Sequence, residues 1–152
     1  MIGCIGDRGH MMGKRYVILG GNQVKTKLVS QKLSHLLGLE IIDGDRYIEA
    51  GKQEEILSLI KKQDWIIQTK YNRILRLCDD KVDYVIFVDF PLWINVKDIL
   101  LRLRLNHLKE ILHYQKIRRP WVVDRLEEFG TEKKIVVLKN RRQVREFLKL
   151  CE

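Results

Sequence analysis

Hydrophobic and polar positions alternate along this chain in blocks whose period changes from one block to the next. Tyr16–Leu19 is a continuous apolar, β-rich run closed by Gly20-Gly21, after which Leu28, Val29, Leu33, Leu36 and Leu37 recur at helical spacing up to Gly38. The pattern predicts a strand, a turn and a helix with a glycine stop. A second strand over Leu39–Ile42 ends in Asp43-Gly44-Asp45, and Glu54–Ile60 then sets Ile56, Leu57 and Ile60 on one helical face. Trp65–Ile67 reads as a third strand, Asn72–Leu77 as a short helix, and Tyr84–Val88 as a fully buried strand closed by Asp89-Phe90-Pro91. From about Trp93 a long helical pattern passes through Leu100, Leu103 and Leu108 to Ile111, and a second helix follows Pro120 as far as Gly130. Ile135–Leu138 is a fifth strand. Asn140 is placed to cap a last helix whose inward stripe is Val144, Phe147, Leu148 and Cys151.

Strands and helices in regular alternation, joined by short connections and including strands that are apolar throughout, predict an α/β domain whose parallel sheet is covered on both faces. In such sheets ligands gather beyond the carboxyl ends of the strands. That rule directs attention to Gly20–Lys27, Asp43–Arg46, Gln68–Arg73 and Asp89–Trp93. Residues 1–13, with four glycines and no periodicity, read as a flexible leader before a domain over 14–152, with Met11 or Met12 as an alternative start.

Composition narrows the class of protein. The chain has 152 residues, 45% of them hydrophobic and 32% charged, which suits a soluble globular domain with a core of its own. No apolar run approaches the roughly 18 residues of a membrane span, so no membrane partner is expected. Cys4, Cys78 and Cys151 are widely separated and in no metal or redox spacing, as suits free thiols and a cytoplasmic location. The four histidines form no metal-binding pair, and Trp65, Trp93 and Trp121 lie inside apolar patterns that predict packing roles. Charge is unevenly spread. The net charge is +9, and residues 97–149 hold 15 Lys and Arg against 7 Asp and Glu. A surface that meets phosphate is one reading of this asymmetry, and a solvated face is the other.

Several segments carry a closer resemblance. Asp64-Trp65-Ile66-Ile67, then Tyr71, Arg73 and Leu75, then Asp83 to Trp93, together with Arg119-Pro120, Leu126 to Gly130 and Leu138 to Leu148, resemble the topology modulation proteins. These are small adenylate-kinase-like P-loop proteins. The resemblance implies a three-layer P-loop fold with a five-stranded parallel sheet in the order 2-3-1-4-5. It implies an ATP and Mg²⁺ site, and a phosphotransferase acting on a nucleotide or another phosphate-bearing small molecule. By the same resemblance, Asp45, Arg73 and Arg119 would be catalytic, Asp89 would hold the metal, and Arg141 would contact the nucleotide.

The sequence departs from that family at two places. The motif G-x-x-x-x-G-K-[ST] is met by Gly20-Gly21-Asn22-Gln23-Val24-Lys25-Thr26-Lys27, in which Lys25 stands for the second glycine, Thr26 for the lysine and Lys27 for the hydroxyl residue. A shift of one residue restores Lys25-Thr26 as the K-[ST] pair but loses both glycines. A helix N-terminus beside two lysines is still an anion site, with Lys25 or Lys27 as its charged contact, and Lys25 is placed to fold into the space of a β-phosphate. The second departure is the Arg-rich lid, which is absent or reduced to a helical turn between Leu105 and His113. Two functions follow. One is a P-loop kinase-like protein with weakened nucleotide binding, active or catalytically impaired; the other is a nucleic-acid-binding or regulatory module that uses the basic C-terminal third.

Overall fold

The computed structural model describes residues 15–62, 64–101, 106–128 and 134–152, so the leader lies outside the described residues. Strands β1 (Arg15–Gly20), β2 (Ile41–Asp43), β3 (Trp65–Thr69), β4 (Tyr84–Val88) and β5 (Lys134–Leu138) form one sheet in the order β2-β3-β1-β4-β5. Every neighbouring pair is parallel, which is the α/β sheet and strand order expected above.

Strand periodicity divides the core into two layers. Val17 and Leu19 of β1, with Val85 and Phe87 of β4, face one side, where they meet Ile56, Ile74, Leu75 and Val122. Tyr16, Ile18, Ile86 and Val88 face the other, against Val29, Leu33, Val144 and Phe147. Apolar side chains on both faces of the central strands are why those strands read as unbroken hydrophobic runs.

Helix α1 (Gln23–Leu37) covers the second face and ends on Gly38 at φ 67°, a left-handed conformation that glycine adopts without strain. Its buried residues are Lys25, Thr26, Val29, Ser30 and Leu33. Leu28, 47% exposed, and Leu36 lie outside that stripe, contrary to the expectation from apolarity. The stripe instead takes polar side chains that find local partners: Thr26 Oγ1 donates to the Asn22 carbonyl and Ser30 Oγ to the Thr26 carbonyl. Leu57 is likewise exposed, whereas Ile56 and Ile60 are buried.

Between β2 and β3 the chain forms α2 (Gly44–Glu49), read from sequence only as the end of a strand, and α3 (Gln53–Leu59). Helix α4 is Asn72–Cys78. After β4 the described residues form α5 (Leu92–Leu101) and α6 (Asn106–His113). From α6 the chain continues through a π-helical turn, Tyr114–Arg118, into α7 (Arg119–Glu128). Pro120 explains the turn. It lacks an N–H and its ring excludes the carbonyl four residues earlier, and the wider turn lets the Arg119 N–H reach the Tyr114 carbonyl instead. Tyr114 is thereby buried. Of the three tryptophans only Trp65 is in the core; Trp93 and Trp121 are 67% and 60% exposed. Helix α8 (Arg141–Cys151) begins at Asn140, whose side chain accepts from the Gln143 N–H at 2.9 Å. No helix of the described residues is long and apolar enough to cross a membrane.

Candidate functional site

At the carboxyl edge of the sheet β1 passes into α1 through only two residues, Gly21 and Asn22. A G-x-x-x-x-G loop holds four residues between its glycines and turns their N–H groups around a phosphate. Here Gln23–Lys27 are already helical. Asn22 closes the first turn: its side-chain oxygen accepts from the Lys25 N–H at 3.2 Å, and its carbonyl accepts from the Thr26 N–H at 3.0 Å and from Thr26 Oγ1 at 2.9 Å. Both glycines are required by close approach. A Cβ on Gly20 would lie 2.2 Å from Thr26 Oγ1, and one on Gly21 would lie 2.0 Å from the Tyr114 ring.

Lys25 is 8% exposed and points toward α5. Its ammonium lies 2.6 Å from Asp98 Oδ2, donates to Asn95 Oδ1 at 3.3 Å, and sits 4.4 Å from the centre of the Phe90 ring. Asn95 Oδ1 also accepts from Asn22 Nδ2 at 3.0 Å, while Asn95 Nδ2 donates to the Phe90 carbonyl at 3.3 Å. Asn95 and Asp98 were not singled out from sequence. Their signal was two polar residues three apart in a helix, LWINVKDILL, whose only other polar residue is Lys97. Lys27 remains exposed at the turn.

Asp89 and Arg119, expected as metal ligand and catalytic residue, are bonded to each other. Arg119 Nε and Nη2 donate to the two Asp89 oxygens, each at 2.7 Å, and this pairing holds the guanidinium pKa above its ordinary value. In this arrangement the charge of Asp89 is met by Arg119, and the Thr26 hydroxyl donates to the Asn22 carbonyl. Among the described residues no group of three or more His, Cys, Asp or Glu is placed to hold a metal ion.

Asp45 opens α2 and ties it to the end of β3. Its Oδ1 accepts from Thr69 Oγ1 at 2.7 Å and from the Lys70 N–H at 2.9 Å, and Thr69 Oγ1 accepts in turn from the Tyr71 N–H at 3.0 Å. Burial nevertheless dominates and pushes the carboxyl pKa up. A cleft of about 570 Å³ separates Asp45, Arg46 and Gln68 on one wall from Gln23, Thr26 and Lys27 on the other. Arg73 sits in a different cleft with Tyr71, Arg118 and Trp121. Arg141 lines a groove together with Gly21, Asn22, Lys25 and Lys27 of the turn and with Phe90 and Ile99. The turn is thus brought together with Asp45 in one cleft and with Arg141 in another, whereas Arg73 lines neither. In front of the turn a further cleft gathers Gly21 and Gln23 with Lys70, Lys109, His113 and Arg118. Lys70 lies in the segment after β3 to which sequence reasoning pointed; Lys109, His113 and Arg118 were missed, although Arg118 adjoins Arg119, because only the course of α6 and the π turn brings them to the loop.

No protein-family model matches the sequence, and no curated protein matches it. Solved structures do match. The shikimate kinase of Acinetobacter baumannii, in complex with shikimate, aligns with a TM-score of 0.58 at 14% identity, over 91% of this chain and 90% of that one. An uncharacterized protein from Eubacterium ventriosum gives the same TM-score and identity over 91% and 98%. The shikimate kinase of Bacteroides thetaiotaomicron gives 0.51 at 13% identity over 90% and 94%. At these identities the likeness is one of fold, and the fold is that of the P-loop kinases.

Two outcomes test this geometry. Gly21→Ala forces a methyl group into the Tyr114 ring and should cost about 1–3 kcal/mol in urea unfolding. In a Tyr114→Ala background the same change should cost about 0.5 kcal/mol or less, and strictly additive costs would contradict the contact. The raised Asp45 pKa means that the folded state holds its proton to higher pH than the unfolded chain does. Asp45 therefore lowers stability as pH rises from the ordinary carboxyl value, about 3.9, through the raised folded value. Asp45→Asn retains an acceptor for Thr69 and Lys70, so it should remove that slope without loss of stability at pH 7. A slope unchanged in Asp45→Asn, measured by urea unfolding across this range, would assign it elsewhere.

Proposed function

We propose that this chain is a P-loop-kinase-fold protein, impaired in phosphoryl transfer, that binds a phosphate-bearing small molecule in front of the α1 N-terminus. The observation that carries the reading is the two-residue turn with Lys25 held by Asp98 and Asn95. Phosphoryl transfer relies on a backbone cradle, a lysine on the outer phosphates and a metal between them. Here the cradle is shortened, and the lysine nearest the motif position is occupied by α5.

Recognition of a single phosphate makes smaller demands. A helix N-terminus attracts anions through its N–H groups and dipole, and Lys27, Lys70, Lys109 and Arg118 line the clefts that open on this one. The fold likeness to shikimate kinases supports a small-molecule ligand, and Asp45 and Arg73 line the clefts on the side of β2 and β3 where an acceptor would lie. Arg119 serves here as the partner of Asp89 and supports the sheet edge.

Calorimetry with inorganic phosphate, ADP and ATP, each with and without Mg²⁺, tests the reading. Binding should be weak, with Kd near 1 mM or about −4 kcal/mol, and indifferent to Mg²⁺. Lys27→Gln combined with Lys70→Gln should abolish it. Micromolar, Mg²⁺-dependent ATP binding would restore an active kinase and overturn the impaired one.

A further inference from the structure

The outward face of α1 carries side chains that a solvent-facing helix rarely shows. Val24, Leu28 and Leu36 stand there, exposed, along a helix of 15 residues, about 22 Å in length. Beside them α1 packs on α8, and two clefts, of about 560 and 490 Å³, share Leu28, Lys32 and Arg145, so that they form one groove along the helix pair. The floor is apolar: Val29, Ile99, Ile111 and Val144 in one part, Leu36 and Leu148 in the other. The rims are basic. Lys27, Lys32, Arg141, Arg145 and Lys149 line them, and among the described residues none of these five is ion-paired. The lining carboxylates are Asp98, bound to Lys25, with Glu110 in one cleft and Glu152 in the other.

We propose that this groove docks an amphipathic helix of a partner protein, apolar on one side and rich in Asp and Glu along its flanks. A trough between two neighbouring helices has the shape that receives a third, with apolar side chains at helical spacing set into the floor. Charge selects the partner, because five cations on the rims match acidic flanks and repel basic ones. Other occupants fit less of the surface. A nucleic acid would pair with the cations yet leave the apolar floor uncovered. A second copy would bring the same cations and a further +9 of net charge against this face.

The probe is a blocked, fluorescein-labelled peptide of about 16 residues, some 24 Å as a helix, with Leu at helical spacing and Glu elsewhere. Its fluorescence anisotropy is followed with the full chain at about 0.15 M salt, beside a scramble of the same composition and a version with Lys for Glu. The Glu peptide should bind saturably and one to one. The scramble should bind at least about tenfold more weakly, and the Lys version not at all. Leu28→Gln and Arg145→Glu change exposed residues and should leave the circular dichroism unaltered, while each weakens binding by about tenfold. Arg76→Glu, on α4 in the opposite layer, should leave it unchanged. Equal binding of the scramble, equal loss in Arg76→Glu, or no effect of Leu28→Gln would reduce the interaction to bulk charge and overturn the proposal. So would failure of the Glu peptide to bind while duplex DNA or phosphatidylglycerol vesicles bind in a Leu28-dependent way.

Discussion

Burying a lysine ammonium costs several kcal/mol unless an opposite charge and further acceptors are within reach. In this protein Asp98 and Asn95 meet that demand for Lys25 at 2.6 and 3.3 Å. Because both acceptors belong to α5, the ion pair fastens α5 to the first turn of α1, and Asn22 joins the same network through Asn95. The rest of the carboxyl edge follows from that fastening. Helix α6 packs beside α5, the π turn imposed by Pro120 continues from it, and Tyr114 comes down on Gly21. Removal of one partner would leave a buried charge uncompensated. A turn built this way is held shut by its own side chains.

Function in P-loop kinases depends on a lysine that is free to follow phosphate charge and on an acidic strand end that is free to hold a metal. This chain keeps residue types suited to both tasks, in Lys25 and Asp89, and binds each internally, to Asp98 and to Arg119. On the function proposed above, the fold is kept while Lys25 and Asp89 serve its structure. What remains open to ligands is a set of clefts at the carboxyl edge with bases around them, together with a basic groove on the outer helical layer.

Much of the fold was legible because the central strands are buried on both faces, and a run such as Tyr84–Val88 has no other reading. Gly38 and Asn140 marked helix ends through local backbone chemistry that needs no tertiary context. Leu28 and Leu36 were misplaced because apolarity does not say which face of a helix is inward when polar side chains find partners there. Thr26 and Ser30 take inward positions by bonding to carbonyls of their own helix. At the site the motif's residues could be found but not its shape, since the shortness of the turn depends on where α1 begins. Lys70 is placed by the end of β3, but Lys109 and Arg118 join it only through the path of α6 and its π turn, which no local pattern encodes.

The most direct measurement follows the Lys25 ammonium itself, by ¹⁵N-detected NMR of the lysine side chains, assigned with Lys25→Arg and titrated with Mg²⁺–ATP. If Lys25 belongs to Asp98, its resonance stays in place throughout the titration, shifts when Asp98 is changed to Asn, and leaves any phosphate response to the lysines in front of the turn. A Lys25 resonance that moves with nucleotide, at the same midpoint as the backbone signals of Gly21 and Gln23, would show the lysine crossing to the phosphates, and would contradict this account of the site.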